Sequence, residues 1–490
     1  MVKRKRGDVT GTTPALLPSA NVTPMHPDTI HLQIITGTYE KTLHGFIASI
    51  PPLSSDSTTG DISLPTTFTD TFLFSAHTSP LKTLAISPAA PNTKKRILAT
   101  SSADERINLY NLSTYLPPIS NSSLAPLSGR NRHLGTLHNH LNTPTALLFT
   151  PSRNKLLSAG ADGQIQILRT RDWGVLSTLK VPKPNPKPIN YAKDYGEGYG
   201  PRVPTFGSEG YGGGAGAVND IALHPSQKIL LSVGSGERAV RMWNLMTARK
   251  AGVLAFDRET VPSKFGNEGQ HIEFSGDGES YAVAFERGVV VFGMDSKPRV
   301  RIETKPRATK IHMIRYVSLP KQLLGQEEEE VLVVSTEDGR VLFFAPNAEV
   351  VDEPKLLGTL GGRRMGMMGR VKDFSVVQTG GRVFVITAGS DGVVRIFDLC
   401  GEGSGIEVEE GETETAKKTK EEKPTEEVKV AGDRQVGKIV GIYETTRRIT
   451  CMATMIMEEG QEVEQEDEEM GEAGQEESSE EESTDEEDDE

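Results

Sequence analysis

The residues of this 490-residue chain whose type and spacing could do chemistry are cations rather than nucleophiles. Basic runs stand at Lys94-Lys95-Arg96, at Arg363-Arg364, at Arg370 with Lys372, and at Arg447-Arg448. Each falls in loop or strand-end sequence, where a cation can meet a phosphate; scattered surface charge is the plainer alternative. Nucleophile and metal patterns are missing. There is no Gly-x-Ser-x-Gly elbow and no His-Glu-x-x-His, and Gly212-Gly-Gly-Ala-Gly216 lacks the spacing and the following Lys-Ser/Thr that cradle a nucleotide phosphate. His77, His224, His271 and His312 are dispersed along the chain, and Cys400 and Cys451 belong to no Cys-x-x-Cys or Cys/His cluster. The expectation is a non-enzyme with no cofactor, no metal and no small-molecule substrate.

Charge is distributed unevenly. The formal net charge is −14, yet residues 458–490 contain 20 Asp or Glu and no Lys or Arg, so the rest of the chain carries +6. A mildly basic body with an acidic appendage points to nucleic-acid or basic-protein partners. In the tail, Ser478, Ser479, Ser483 and Thr484 each have Glu three residues later, the pattern acidophilic kinases favour. At the other end, Lys3-Arg4-Lys5-Arg6 leads into Gly, Thr and Pro rather than an apolar segment, and reads as a nuclear import signal or a solvated end. No apolar run approaches the ~18 residues of a membrane span.

The elements that must position these groups repeat along the chain. The clearest unit is Thr387-Ala-Gly-Ser-Asp391-Gly-Val-Val-Arg-Ile-Phe397, two short alternating strands around a Ser-Asp-Gly turn. A carboxylate followed six residues later by a large apolar side chain recurs seven times: Glu40/Phe46, Asp104/Tyr110, Asp162/Leu168, Glu237/Trp243, Glu286/Phe292, Asp338/Phe344 and Asp391/Phe397. Another short strand lies about 20 residues upstream of most units, among them 81–86, 218–223, 271–274 and 371–377. These carboxylates and apolar residues are expected to close turns and fill space between repeats, not to do chemistry.

The last strand signal, 448–457, has no hairpin after it, and the first hairpin, 33–48 with an outer strand at 71–74, has no inner strand before it. Joining the ends completes one blade and removes an exposed sheet edge. The organisation expected is a basic disordered N-terminus (1–30), a propeller (31–457) with insertions at about 49–70, 113–132, 182–216 and 401–436, and a disordered acidic tail (458–490). In the 182–216 insertion, Tyr195, Tyr199 and neighbouring aromatics stand among Gly and Lys-Pro repeats; they could stack on RNA bases, dock on a protein groove, or belong to a mobile surface loop.

One strand, a turn, a hairpin and an outer strand resemble a WD-repeat blade, although Gly-His survives only as Ala76-His77 and Trp-Asp only as Trp243-Asn244, Phe397-Asp398 or Tyr110-Asn111. The Asp/His/Ser/Trp hydrogen-bond tetrad of that family is therefore expected to be only partly built. The stretch Gln33-Ile-Ile-Thr-Gly-Thr-Tyr-Glu40, followed by Phe74-Ser-Ala-His77 and Ala99-Thr-Ser-Ser-Ala-Asp104, is similar to the maintenance-of-killer and PAK-interacting group of WD-repeat proteins. That resemblance implies an all-β, seven-bladed WD-repeat propeller. It further implies a nuclear and nucleolar scaffold for large (60S) ribosomal subunit assembly and rRNA processing. Its partners would be pre-60S assembly factors, ribosomal or ribosomal-like proteins and pre-rRNA, with the protein monomeric outside the particle. The alternative it carries is an adaptor that binds and inhibits a PAK-type kinase.

Overall fold

A computed structural model describes residues 29–52, 66–91, 94–116, 133–182, 216–266, 268–305, 308–320, 323, 330–348, 350–367, 369–400 and 434–458. Lys3–Arg6, Tyr195, Tyr199, Ser478, Ser479, Ser483, Thr484 and the Arg364 side chain lie outside the described residues, as does most of each expected insertion.

In chain order the strands are β1 (Ile30–Thr38), β2 (Thr42–Ile50), β3 (Thr67–Ser75), β4 (Leu81–Ile86), β5 (Arg96–Ser102), β6 (Ile107–Leu112) and β7 (His133–Leu137). There follow β8 (Pro144–Phe149), β9 (Lys155–Gly160), β10 (Gln164–Arg169), β11 (Val175–Lys180), β12 (Val218–Leu223), β13 (Ile229–Gly234), β14 (Ala239–Asn244) and β15 (Arg249–Ala255). Next come β16 (His271–Phe274), β17 (Ser280–Ala284), β18 (Gly288–Gly293), β19 (Pro298–Glu303), β20 (Ile311–Ser318), β21 (Glu330–Thr336), β22 (Arg340–Phe344) and β23 (Leu356–Gly361). The series ends with β24 (Val371–Thr379), β25 (Arg382–Gly389), β26 (Val393–Asp398), β27 (Lys438–Glu444) and β28 (Ile449–Ile456).

Each successive four from β4 to β27 forms one antiparallel sheet in sequence order, and β28 completes the remaining sheet as β28-β1-β2-β3. This is the all-β, seven-bladed propeller class expected from the sequence, with both terminal strands in one blade. Leu32 to Gly37 of β1 pair with Ile456 to Cys451 of β28, so the β1 edge is covered.

The blades fall into two compact units. One contains the β28-β1-β2-β3 blade and those built on β16–β19, β20–β23 and β24–β27; the other contains the three blades from β4 to β15. Within the first, buried apolar clusters lie between successive blades, such as Phe343, Leu360, Phe374 and Phe397, or Ile34, Phe46, Phe384 and Ile396. Within the second, Ile107, Leu109, Leu147 and Leu168 form one such layer and Leu157, Ile167 and Trp243 the next.

The seven apolar anchors all sit on the third strand of a blade and are all buried. Immediately before each one, the third strand slips register against the fourth: at Gly45/Phe46, Leu109/Tyr110, Ile167/Leu168 and Met242/Trp243. The same slip occurs at Val291/Phe292, Phe343/Phe344 and Ile396/Phe397. A bulge bends and over-twists its strand, which re-aims one side chain. Phe46, Leu168, Trp243, Phe344 and Phe397 are thereby turned into apolar layers shared with a neighbouring blade.

Phe292 also packs within its own blade. It is fully buried on β18, and its ring stacks on Tyr281 of β17, within its own blade, at 5.5 Å between centroids and 20° between planes. The reason is register: Phe292 and Tyr281 stand directly opposite each other on antiparallel strands, so the two rings share one face of the sheet. Phe274 of β16 adds an edge contact to Tyr281 at 6.0 Å. Phe292 is thus a buried structural anchor that stacks on the neighbouring strand of its blade.

Several segment ends differ from expectation, β2 for instance running on to Ile50. β3 begins at Thr67, not Thr71, because the threonines of 66–71, read as loop by composition, suit a strand and pair back as far as Ser49↔Thr67. Gln435 bridges Thr359, so the 401–436 insertion ends a little earlier. Glu458, assigned to the tail, bridges Tyr115, and its N–H donates to the Thr114 carbonyl at 2.8 Å.

Candidate nucleic-acid interface

The repeat carboxylates are committed to structure in several different ways. In the β4–β7 blade, His77 Nδ1 lies 3.1 Å from both oxygens of Asp104, and Nε2 lies 2.8 Å from Thr100 Oγ1. Burial lowers the His77 pKa despite the opposing pull of Asp104, so at neutral pH Nδ1–H donates to the carboxylate and Nε2 accepts the Thr100 hydroxyl. The β8–β11 blade repeats this with His140, Asp162 and Ser158: Nδ1 is 3.1 Å from Asp162 Oδ2 and Nε2 is 2.8 Å from Ser158 Oγ. His140 corrects the expectation that the Gly-His element survives only at His77. The sequence signal was Asn139-His140, which lacks the glycine.

Elsewhere the tetrad is dismantled. Trp243 Nε1 donates to Ser232 Oγ at 2.9 Å, as the full tetrad would require, but its carboxylate, Glu237, pairs with Arg241 instead of a histidine. Asp338 pairs with Arg340 and Asp391 with Arg395. Glu286, the carboxylate paired in sequence with Phe292, contributes through its backbone, its carbonyl accepting the Ile311 N–H at 3.0 Å, while Glu40 is exposed.

The cations have a different arrangement. Three consecutive blades of the first unit present their inner strands β20, β24 and β28 side by side. Just before these strands stand Lys310, Arg370 and Arg448, and the carbonyl of each accepts a backbone hydrogen bond from an equivalent place in its blade. The Lys310 carbonyl accepts the Glu337 N–H at 2.8 Å, the Arg370 carbonyl the Ser390 N–H at 2.8 Å, and the Arg448 carbonyl the Tyr39 N–H at 2.9 Å. Lys372 is the residue skipped by a bulge in β24, between Val371↔Gly389 and Asp373↔Ala388. The bulge frees it from the ladder and leaves it half-buried among the other three.

Lys372 registers that crowding. Burial lowers its pKa to about 8, and Arg370, Arg448 and Lys310 push it the same way against the weaker opposing effect of Glu337. Among the described residues, only Arg370 of the four has a carboxylate at ion-pair distance, Glu337 at 2.8 Å. Arg448 stands 5.5 Å from the centre of the Tyr39 ring, and Tyr39 is 55% exposed.

Asp373 holds the platform in place. Its Oδ2 accepts the Met452 N–H of β28 at 2.9 Å, its Oδ1 lies 3.5 Å from the Arg315 guanidinium of β20, and Arg315 Nε donates to the Phe374 carbonyl at 3.1 Å. One buried carboxylate thus connects all three inner strands that carry the cations. Burial raises the Asp373 pKa, opposed by Arg315 and by the Met452 and Phe374 N–H groups.

Of the basic runs singled out in the sequence, the structure therefore brings together Arg370, Lys372 and Arg448 and adds Lys310, which stands alone in sequence. Arg447 is half-buried and donates to Thr42 Oγ1 at 3.1 Å. Arg363 is exposed in a 3-10 turn, Arg363–Met365. Lys94, Lys95 and Arg96 belong to the other unit, where Lys94 pairs with Glu458 and Arg96 donates to the Ser87 carbonyl. Groups of His, Cys, Asp or Glu able to hold a metal ion are absent among the described residues.

Comparison with known proteins agrees with this architecture. The family model for the WD domain, G-beta repeat, matches residues 131–168 and 207–244, spans that contain His140, Asp162 and Trp243. The chain is 25% identical over 399 residues to Protein MAK11 of Saccharomyces cerevisiae, covering 76% of this chain and 79% of that one. It is 24% identical over 368 residues to the p21-activated protein kinase-interacting protein 1-like of Gallus gallus, covering 75% and 73%. Shk1 kinase-binding protein 15 of Schizosaccharomyces pombe is 23% identical over 373 residues, covering 75% and 77%. Seven four-stranded blades and two His–Asp pairs of the repeat type describe a seven-bladed β-propeller with WD repeats, similar over about three quarters of its length to MAK11 and the PAK-interacting proteins.

Proposed function

We propose that this protein is a non-catalytic scaffold in nucleolar assembly of the large ribosomal subunit, holding assembly proteins and contacting pre-rRNA. The observation that carries the reading is the platform of Lys310, Arg370, Lys372 and Arg448, set by three inner strands on a body whose formal charge outside the tail is +6. Cations concentrated this way suit a polyanion, because neutralising phosphates releases counterions. The resemblance to the maintenance-of-killer group supplies the ribosomal setting, and with it a nuclear and nucleolar location. Gentle purification of the tagged protein followed by gradient sedimentation tests the reading. Large-subunit precursor rRNA and assembly proteins should travel with it; free protein with no precursor overturns it.

A second reading, an adaptor for a PAK-type kinase, is favoured by the names of two relatives, a p21-activated protein kinase-interacting protein and a Shk1 kinase-binding protein. The same purification separates the two, since the adaptor would recover a kinase from fractions without precursor rRNA.

A further inference from the structure

We infer that Lys310, Arg370, Lys372 and Arg448, together with the Tyr39 ring, form a binding site for single-stranded RNA, with phosphates on the cations and a base stacked on Tyr39. The inference deepens the ribosomal reading and rests on it for the kind of RNA that would be met.

Three observations carry it. First, Lys310, Arg370 and Arg448 occur at matched positions, one before each of three adjacent inner strands, each fixed by a main-chain hydrogen bond. A row of single charges delivered by successive strands matches a ligand whose charge also repeats along a chain.

Second, the arrangement opposes stability. Like charges are crowded round a half-buried ammonium that occupies a strand bulge, and one carboxylate, Glu337, pairs with one of the four. Crowded, perturbed ionisable groups concentrate at functional sites. A polyanion would relieve the repulsion that the fold has built in.

Third, an exposed aromatic adjoins the platform. Tyr39 follows β1, and its ring faces the Arg448 guanidinium at 5.5 Å. Neighbouring aromatic and guanidinium planes give a base a stacking surface that an acidic peptide does not need, so the pairing favours RNA over an acidic protein segment.

The test uses the full-length protein and a fluorescein-labelled oligouridylate, read by anisotropy over a salt series. With up to four phosphate contacts, the slope of log affinity against log salt should be about −2 to −3. Lys372→Met should weaken binding and make the slope shallower by about 0.7, the loss of one contact. Tyr39→Ala should weaken binding about fivefold or more without changing the slope, because stacking releases no counterion. Thermal melts establish that both variants are folded. Wild-type affinity in both variants overturns the site. So does a result in which the two substitutions weaken binding of a synthetic 459–490 peptide while leaving RNA untouched, which would assign the platform to acidic protein. Loss of RNA binding here combined with intact co-sedimentation would overturn this inference alone. Intact RNA binding with no precursor in the gradient would overturn the ribosomal reading alone.

Discussion

The Asp373 carboxylate accepts the backbone N–H of Met452 at 2.9 Å, joining β24 to β28, although 79 residues separate them in sequence. Through Arg315 the same carboxylate reaches β20. Asp373→Ala should therefore cost about 2–4 kcal/mol, because it removes the acceptor of a buried N–H and breaks an ion pair with one fully buried member. Asp373→Asn, which keeps one oxygen acceptor, should cost less. Urea denaturation of the two variants checks the order, and equal losses would mean that the side-chain volume, not the hydrogen bonds, matters.

The contrast between Asp391 and Asp373 shows how much of this was legible in the sequence. Asp391 sits in a Ser-Asp-Gly turn, a local signal, and Gly392 after it has φ +80, with a Cβ there meeting the Arg447 carbonyl at 2.6 Å. Local chemistry of that kind exposed the repeat, the blade count and the sharing of a blade by the chain ends. Asp373 read only as a polar residue in a strand and Lys372 only as half of a basic pair with Arg370, since what joins them to their neighbours depends on β20 and β28, which lie far away in sequence. Lys310 was overlooked for the same reason: a lone lysine acquires a role only when three blades align it with Arg370 and Arg448. Phe292 was legible as an anchor from its spacing to Glu286, but its stacking partner Tyr281 follows from the β17–β18 register, which spacing alone does not give. His140 was overlooked because Asn139 stands where glycine was sought, although Asp162 and Ser158 were both in place.

His140→Ala should destabilise the fold by about 1–3 kcal/mol, since Asp162 and Ser158 each lose a partner in a largely buried site. A pH signature accompanies the loss. Burial by itself would raise the Asp162 pKa, but His140 and the Leu141 and Gln164 N–H groups outweigh it and hold the carboxyl below its ordinary value. A depressed carboxyl contributes stability above its unfolded pKa of about 4 and loses it as pH falls through the folded value. The variant should thus show a smaller drop in urea midpoint than wild type between neutral and acid pH. An identical drop would place the acid sensitivity elsewhere.

Lys372→Met should stabilise the protein at pH 7. The folded pKa of about 8 lies below the unfolded value of 10.5, so the unfolded state holds more proton between them. The charged form is accordingly penalised in full below pH 8, and stability recovers as pH rises toward 10.5. Because the side chain is only half-buried, solvent screening limits the benefit of removing it to ~1 kcal/mol. The advantage of the variant in a urea titration should shrink between pH 7 and pH 10. A substitution that improves the fold while weakening RNA binding is the trade expected where a site is kept at the expense of stability. A destabilised variant would mean that the lysine's methylene packing outweighs its charge.

Deleting the chain from Ile449 onward tests the closure. β28 covers β1 from Leu32 to Thr38, and Ile449 and Met452 belong to the buried layer with Phe46 and Ile396. Without β28, a long apolar strand presents unpaired N–H and C=O groups, the kind of edge that templates pairing between chains. The truncated protein should aggregate at concentrations where the full chain stays dispersed, and amides of β1 should lose hydrogen-exchange protection before those of β9 and β10. Removing only residues 459–490 leaves every β1–β28 pair intact and should do neither, which separates closure of the blade from any effect of the acidic tail on solubility. If both truncations scatter light equally, the tail rather than the shared blade keeps the protein monodisperse.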